Sequence, residues 1–321
     1  MNPQTTKVEQ KAQAPDRLAK ESRVHVVRLM GGLGNQMFQY AFGRQLSARS
    51  GIDVKFDVSN GFKHDPYRRH LSLGDFNTTL VEAHSREIPF GMSWNSPWHR
   101  IAKLGWHAVP SAWQQVVYDA DPFQFDPSLF ASKRSSAYYF GYWQNERYFS
   151  QIAETIRQDF TLLRAPPTST AILMREMASC RSISMHVRRN HGVSTSGELI
   201  QKGRDLHGAC SVEYFHAALE KVGFEPGTVC FIFSDSPAWA EANLRLPVPA
   251  KFVSKNFEAS DAEELLLMAA CKHHVIANSS FSWWGAWLGR NPGKIVVAPR
   301  RWLAGSPETA GDICPPSWIR V

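Results

Sequence analysis

The stretch VHVVRLMGGLGNQMFQYAFGRQLSARSGIDVKFDV, residues 24–58, decides the architecture. VHVVRLM is apolar and β-branched and predicts a strand over 24–30, GGLGNQ a turn, MFQYAFGRQLSARSG a helix closed by Gly51, and IDVKFDV a second strand over 52–58. That order makes a βαβ unit. A turn between a strand and a helix amino terminus offers unpaired backbone N–H groups and the positive end of the helix dipole to an anion. Gly32 and Gly34 match the first two positions of G-x-G-x-x-G, but Met37 stands at the third, and no G-K-[ST] follows. Asn35 and Gln36 place two amides at the first helical turn, where they suit a polar ligand. A tight turn that needs glycine geometry explains the same glycines.

Outward from this unit, regularity resumes in the second half. ISMHV (183–187), VCFIF (229–233), KFV (251–253), HVIAN (274–278) and KIVVA (294–298) read as strands alternating with helices near 211–222, 236–244, 261–272 and 281–290. Such alternation implies a doubly wound parallel sheet. Between 60 and 150 the chain is rich in aromatics and prolines; 94–113 reads as irregular or short-helical, and 138–160 as a strand followed by a helix. The expectation is an α/β fold of two Rossmann-like domains with a cleft between them: a polar, disordered tail over 1–23, a first domain over 24–175 and a second over 176–321.

Composition narrows the function. The chain has 321 residues, 43% of them hydrophobic, and a formal charge of +7 from dispersed lysines and arginines. No stretch interleaves basic and aromatic residues as a nucleic-acid groove would, so nucleic acid is excluded as a partner. The charge suits a polyanionic small molecule or an acidic membrane surface. Five cysteines, an odd number without a C-x-x-C, fit neither a disulfide framework nor a zinc site and point to a reducing compartment. The polar start lacks the apolar core of a signal peptide, and nothing reaches the roughly 18 apolar residues of a spanning helix. The expected location is cytoplasmic, at most peripheral to the inner face of the plasma membrane.

Each notable polar cluster falls at the carboxyl end of a predicted strand, the edge where open parallel sheets bind ligands. SISMHVRRNHGV (182–193) delivers Arg188 and Arg189 there, and a buried guanidinium is costly unless an anion meets it. The anion is either an internal carboxylate such as Glu213 or Asp235, or a ligand. His186 shares a strand face with Arg188. SDS (234–236) follows the next strand, and NSSFSWW (278–284) opens a helix with Asn278 and Ser279 at capping positions. Ser280 and Ser282 add hydroxyls at its anion-favouring end, while Trp283, Trp284 and Trp287 face the core. Asp119 and Asp121 form a D-x-D that in some sugar-transferring enzymes holds a divalent ion; in a proline-marked turn away from the arginines it reads as a surface turn.

Taken together, MGGLGNQMFQYAFGRQLS, DPYRRHLSLGDFN, GYWQNERYF, HVRR, CSVEYFHAAL, FIFSDSPAW, LMAACKHHVIANSSFSWWGAWL and KIVVAPRRW resemble the α-1,2-fucosyltransferases of glycosyltransferase family 11, over nearly all of the chain after the tail. The resemblance implies a GT-B-like fold that binds GDP-β-L-fucose mainly through the second domain, requires no metal or other cofactor, and transfers fucose with inversion to the 2-hydroxyl of a galactose in a glycan acceptor. It implies that Arg188, with Arg189 beside it, meets the β-phosphate, and that His186 and Asp235 read the guanine or ribose. Ser279 and Ser280 would contact the donor, the loop from Gly32 through Gly34 and Asn35 to Gln36 would close over the diphosphate, and the aromatic insertions would face the acceptor. Arg188 would then stabilise the charge that builds on the leaving diphosphate.

One departure stands out. The family pattern is H-x-R-R-x-D, whereas this chain has Asn190, His191 and Gly192 after the arginines. His191 is expected to support the donor site, and Asp65, Glu146 and Glu198 are candidate bases. Two other readings compete: a catalytically silent nucleotide-sugar-binding protein, given the lost aspartate, and a dinucleotide-dependent oxidoreductase resting on Gly32, Gly34 and Asp57, against which Met37 argues.

Overall fold

The computed structural model describes residues 23–63, 65, 67–89, 116–131, 134, 136–189, 208–256, 259–303 and 313–321. Residues 1–22 of the expected tail, the segment 94–113, Asn190, His191, Gly192 and Glu198 lie outside them.

Two parallel sheets organise the chain. The first contains β1 (Val24–Arg28), β2 (Asp53–Asp57), β3 (Val116–Tyr118) and β4 (Ala137–Phe140) in the order β2-β1-β4-β3. The second contains β5 (Arg181–Val187), β6 (Thr228–Ser234), β7 (Ala250–Phe252), β8 (His273–Val275), β9 (Val296–Ala298) and β10 (Ile319–Arg320) in the order β10-β9-β8-β5-β6-β7. Strands such as β4 and β5 are buried along nearly their whole length, as expected of strands covered on both faces. The two Rossmann-like halves of the expected GT-B-like fold are therefore present.

The strand orders locate the binding edge. In the second sheet the chain moves from β5 outward to β6 and β7, then returns to the other side of β5 for β8, β9 and β10. The reversal opens a crevice at the carboxyl ends of β5 and β8. In the first sheet β1 plays the same part, with β2 on one side and β4 on the other.

Seven helices matter below: α1 (Leu33–Ser50), α2 (Ala153–Asp159), α3 (Thr168–Ser179), α4 (Val212–Val222), α5 (Pro237–Asn243), α6 (Asp261–Ala270) and α7 (Ser280–Leu288). Helix α1 begins at Leu33 rather than Met37, because Gly31 (φ 78°) turns the chain and Gly32 takes the N-cap. Its far end closes as expected on Gly51, left-handed at φ 65°, whose N–H donates to the Ser47 carbonyl. Helix α6 starts with a capping box from Ser260 and Glu263. Helix α3 has no counterpart in the sequence reading, and it contains residue 175, where the chain was expected to divide. Met177 packs with Phe231, Phe233 and Leu267, which ties α3 to the second sheet.

The largest core is shared by the halves. Met37, Phe38 and Phe42 of α1 form one buried cluster with Trp283, Trp284 and Trp287 of α7. Phe38 lies 4.6 and 4.9 Å from the rings of Trp283 and Trp284. All five cysteines are unpaired. Among the described residues no helix is long and apolar enough to cross a membrane.

Candidate functional site

The amino termini of α1 and α7 meet, and their meeting defines the site. A Cβ on Gly34 would lie 2.5 Å from the Phe281 nitrogen and the Ser280 carbonyl carbon, so only glycine admits this contact. The Gly34 carbonyl accepts from Trp284 Nε1 at 3.0 Å, and Asn35 Oδ1 accepts from both Ser280 Oγ at 2.8 Å and Gln144 Nε2 at 2.7 Å. Gly34 was expected to let a phosphate approach; here it admits another helix. Gly32 keeps the open side, since among the described residues beyond its chain neighbours a Cβ there would meet only Arg69 Nε, at 3.9 Å.

Neither helix start is capped by its own N-cap side chain. Gly32 has none, and Ser279 makes no capping bond. Asn278 is buried and donates instead to the carbonyls of Gly208 and Trp302. Two positive helix ends, neither capped by its own N-cap side chain, thus converge, a geometry that favours an anion.

Arg188 leaves the carboxyl end of β5 on the same edge. The pairing of Met185 with Val275 brings Arg188 and the start of α7 out of the sheet side by side. Arg188 Nε lies 3.0 Å from Asp235 Oδ2, and Asp235 Oδ1 accepts the Arg189 N–H at 2.9 Å. Asp235, expected to read the nucleoside, thus aims Arg188. Burial holds the Arg188 guanidinium below its usual pKa; Asp235 and Asp261 oppose this and Arg69 adds to it. The ion pair is made at Nε, and the guanidinium carries further N–H donors. The internal pair and the ligand role are compatible in this geometry.

Other expected residues are placed as follows. Arg189 stacks its guanidinium 3.9 Å from the Trp239 ring centroid. His186 is buried and held neutral, its pKa pushed down to about 3 by burial and by Arg188, and its Nδ1 has no hydrogen-bond partner among the described residues. Gln36, expected at the ligand, is fully buried and engaged: its amide donates to the carbonyls of Gly31 and His70 and accepts from the Ser72 N–H. Ser282 does not reach the site either, because it is buried against the Ala277 and Ser279 carbonyls. Glu146 lies at the opposite end of α7 from Ser280, accepting from Trp287 Nε1 at 3.2 Å, so the fold does not bring it together with Arg188. Asp65 sits in the turn that carries Arg69, where its Oδ1 accepts from the N–H groups of Tyr67 and Arg69.

The D-x-D is built into backbone turns. Asp119 accepts from the N–H groups of Tyr142 and Trp143, and Asp121 from that of Phe123. Among the described residues no group of three or more His, Cys, Asp or Glu side chains could hold a metal ion. A cavity of 390 Å³ at the other end of β1, lined by Arg23, His25, Arg49, Arg134 and Tyr139, shares nothing with this site. Sequence reasoning missed Arg69 and the contact between the two helix starts. Arg69 had one visible signal, its place in DPYRRHLSLGDFN.

Residues 95–321 match glycosyl transferase family 11. An alpha-1,2-colitosyltransferase of Escherichia coli is 31% identical over 305 residues, covering 92% of this chain and 98% of that protein. The O-antigen biosynthesis glycosyltransferase WbnK, also of E. coli, is 29% identical over 314 residues, covering 91% and 99%. Among solved structures, the fucosyltransferase NodZ from Bradyrhizobium aligns with a TM-score of 0.44 at 17% identity, over 83% of this chain and 92% of that one.

Proposed function

The chain belongs to glycosyl transferase family 11, and from that premise we propose that it transfers L-fucose from GDP-β-L-fucose to the 2-hydroxyl of a galactose in a glycan acceptor. The observation that carries this reading is the convergence of Arg188 with two uncapped helix amino termini at the crevice of a doubly wound sheet. A diphosphate is the ligand that such a site meets best.

The reaction is a single displacement. The acceptor oxygen forms a bond to the anomeric carbon as the bond from that carbon to the β-phosphate oxygen breaks, which inverts the configuration. The leaving diphosphate gains the charge, and fixed donors that need no reorganisation stabilise it: Arg188, aimed by Asp235, and the first N–H groups of α1 and α7. The acceptor proton passes to a base, for which Asp65 is the candidate within the described residues nearest this edge. No step calls for a metal. The neutral His186 beside Arg188 is assigned to the donor's nucleoside side.

The named relative raises a second donor. Colitose is fucose without its 3-hydroxyl, so a pocket that does not read that hydroxyl would accept either sugar. The test is transfer by the purified protein from GDP-fucose and GDP-colitose to lactose and to type 1 and type 2 disaccharides, with and without EDTA, followed by linkage determination. We expect α-1,2-linked product from GDP-fucose, undiminished by EDTA. Transfer from GDP-colitose alone would reassign the donor. Tight GDP binding with no transfer to any galactoside would favour the silent binder.

A further inference from the structure

We propose that Arg69 is a second diphosphate-binding guanidinium, carried by the first half of the chain to face Arg188 across the glycine turn. The inference rests on the GDP-sugar reading and extends it to a residue outside the second half.

Position comes first. Among the described residues beyond its chain neighbours, Arg69 Nε is the atom that a Cβ on Gly32 would meet, at 3.9 Å, so its side chain borders the open side of the turn that starts α1. This is the side left to a ligand, because Gly34 on the other is filled by α7.

The segment bearing Arg69 is built to hold it there. Asp65 Oδ1 accepts the N–H groups of Tyr67 at 2.8 Å and Arg69 at 3.4 Å, and the Arg69 guanidinium lies 4.5 Å from the Tyr67 ring centroid. Between them Arg68 takes a left-handed conformation, φ 53°, which costs a non-glycine residue free energy and is found preferentially at functional sites. Beyond Arg69, the buried amide of Gln36 donates to the His70 carbonyl at 2.8 Å and accepts the Ser72 N–H at 2.8 Å. Gln36 belongs to the first turn of α1. The helix start that would bind one phosphate therefore also fixes the loop that carries Arg69.

Electrostatics agree with the placement. Arg69 and Arg188 are close enough that Arg69 weakens the hold of Arg188 on its proton. Two like charges brought together from separate halves of a chain repel, and an anion between them offsets that repulsion beyond what Asp235 supplies to Arg188. A diphosphate carries two anionic groups and can engage one guanidinium with each.

The discriminating measurement is the ratio of GDP to GMP affinity, by calorimetry, in wild type, Arg69→Ala and Arg69→Gln, with exposed Arg164→Ala as a charge-matched control. GMP lacks the second phosphate. We expect Arg69→Ala to weaken GDP binding by about tenfold or more and GMP binding by about twofold at most, with Arg164→Ala unchanged. Arg69→Gln, which keeps much of the stem over Tyr67, should show the same loss and replaces the alanine variant if that fails to fold. If wild type prefers GDP and both Arg69 variants keep that preference, the inference is overturned and the donor reading stands. If wild type binds neither nucleotide, both fall.

Discussion

Asp235 decides what Arg188 can do. A guanidinium at the rim of a sheet has many rotamers, and one carboxylate on its Nε fixes the fork at little cost because the remaining donors stay in reach of a ligand. The arrangement predicts that Arg188→Ala leaves a folded protein whose transfer rate falls by about two to three orders of magnitude, as when other charge-stabilising donors are removed. Arg188→Lys should recover little, since an ammonium can neither bind Asp235 through one edge nor grip two phosphate oxygens with the other. Steady-state kinetics with saturating acceptor, beside a melting curve for each variant, decide the matter. Near-normal turnover in folded Arg188→Ala would remove it from the mechanism.

Helices α1 and α7 form an unusual joint at the level of elements, because two positive ends touch. Their close approach depends on Gly34, and their alignment on the Ser280–Asn35–Gln144 bridge. Gly34→Ala forces a methyl to within 2.5 Å of the α7 backbone, which cannot yield as a side-chain tip would. Overpacking of this kind costs about 1 to 3 kcal/mol. We expect Gly34→Ala to lower Tm clearly and to weaken GDP binding, whereas Gly32→Ala, whose methyl meets only Arg69 at 3.9 Å, should leave Tm nearly unchanged. Equal Tm values for the two variants in differential scanning calorimetry would show that the joint is not tight.

For the whole molecule, the shared cluster of α1 aromatics and α7 tryptophans makes each half part of the other's core. Thermal unfolding should therefore be one transition, seen alike by tryptophan fluorescence and by far-ultraviolet circular dichroism. It should also be acid-sensitive. His186 and His274 are both pushed down to about 3, by burial first and then by Arg188 and Lys294 respectively, from an ordinary value of 6.5. Between those values the unfolded chain binds more protons than the folded one, so stability is full above 6.5 and is lost as pH falls below it. Each histidine contributes about 1.4 kcal/mol per pH unit in that window. His274→Gln should flatten the decline of Tm between about pH 7 and pH 5; an unchanged slope would mean that His274 is already charged in the folded state.

The β-branched strands, the glycine turn, the helix end at Gly51 and the alternation after residue 180 were legible in the sequence because each is a local pattern of period or punctuation. So were Arg188, Asp235 and Ser280 as residues at carboxyl strand ends, since parallel topology alone sends those ends to one edge. Helix α3 escaped, because nothing local tells a helix that joins the second sheet from a linker. Tertiary structure alone decided the rest. It set Asp235 beside Arg188 and Gly34 against the start of α7. It buried Gln36 under the loop that it clamps, sent Glu146 to the far end of α7, and brought Arg69 to Gly32. The reason is the same in each case: a side chain's role depends on which distant backbone lies against it, and that contact is set by how two sheets pack through α1 and α7, not by the spacing of residues along the chain.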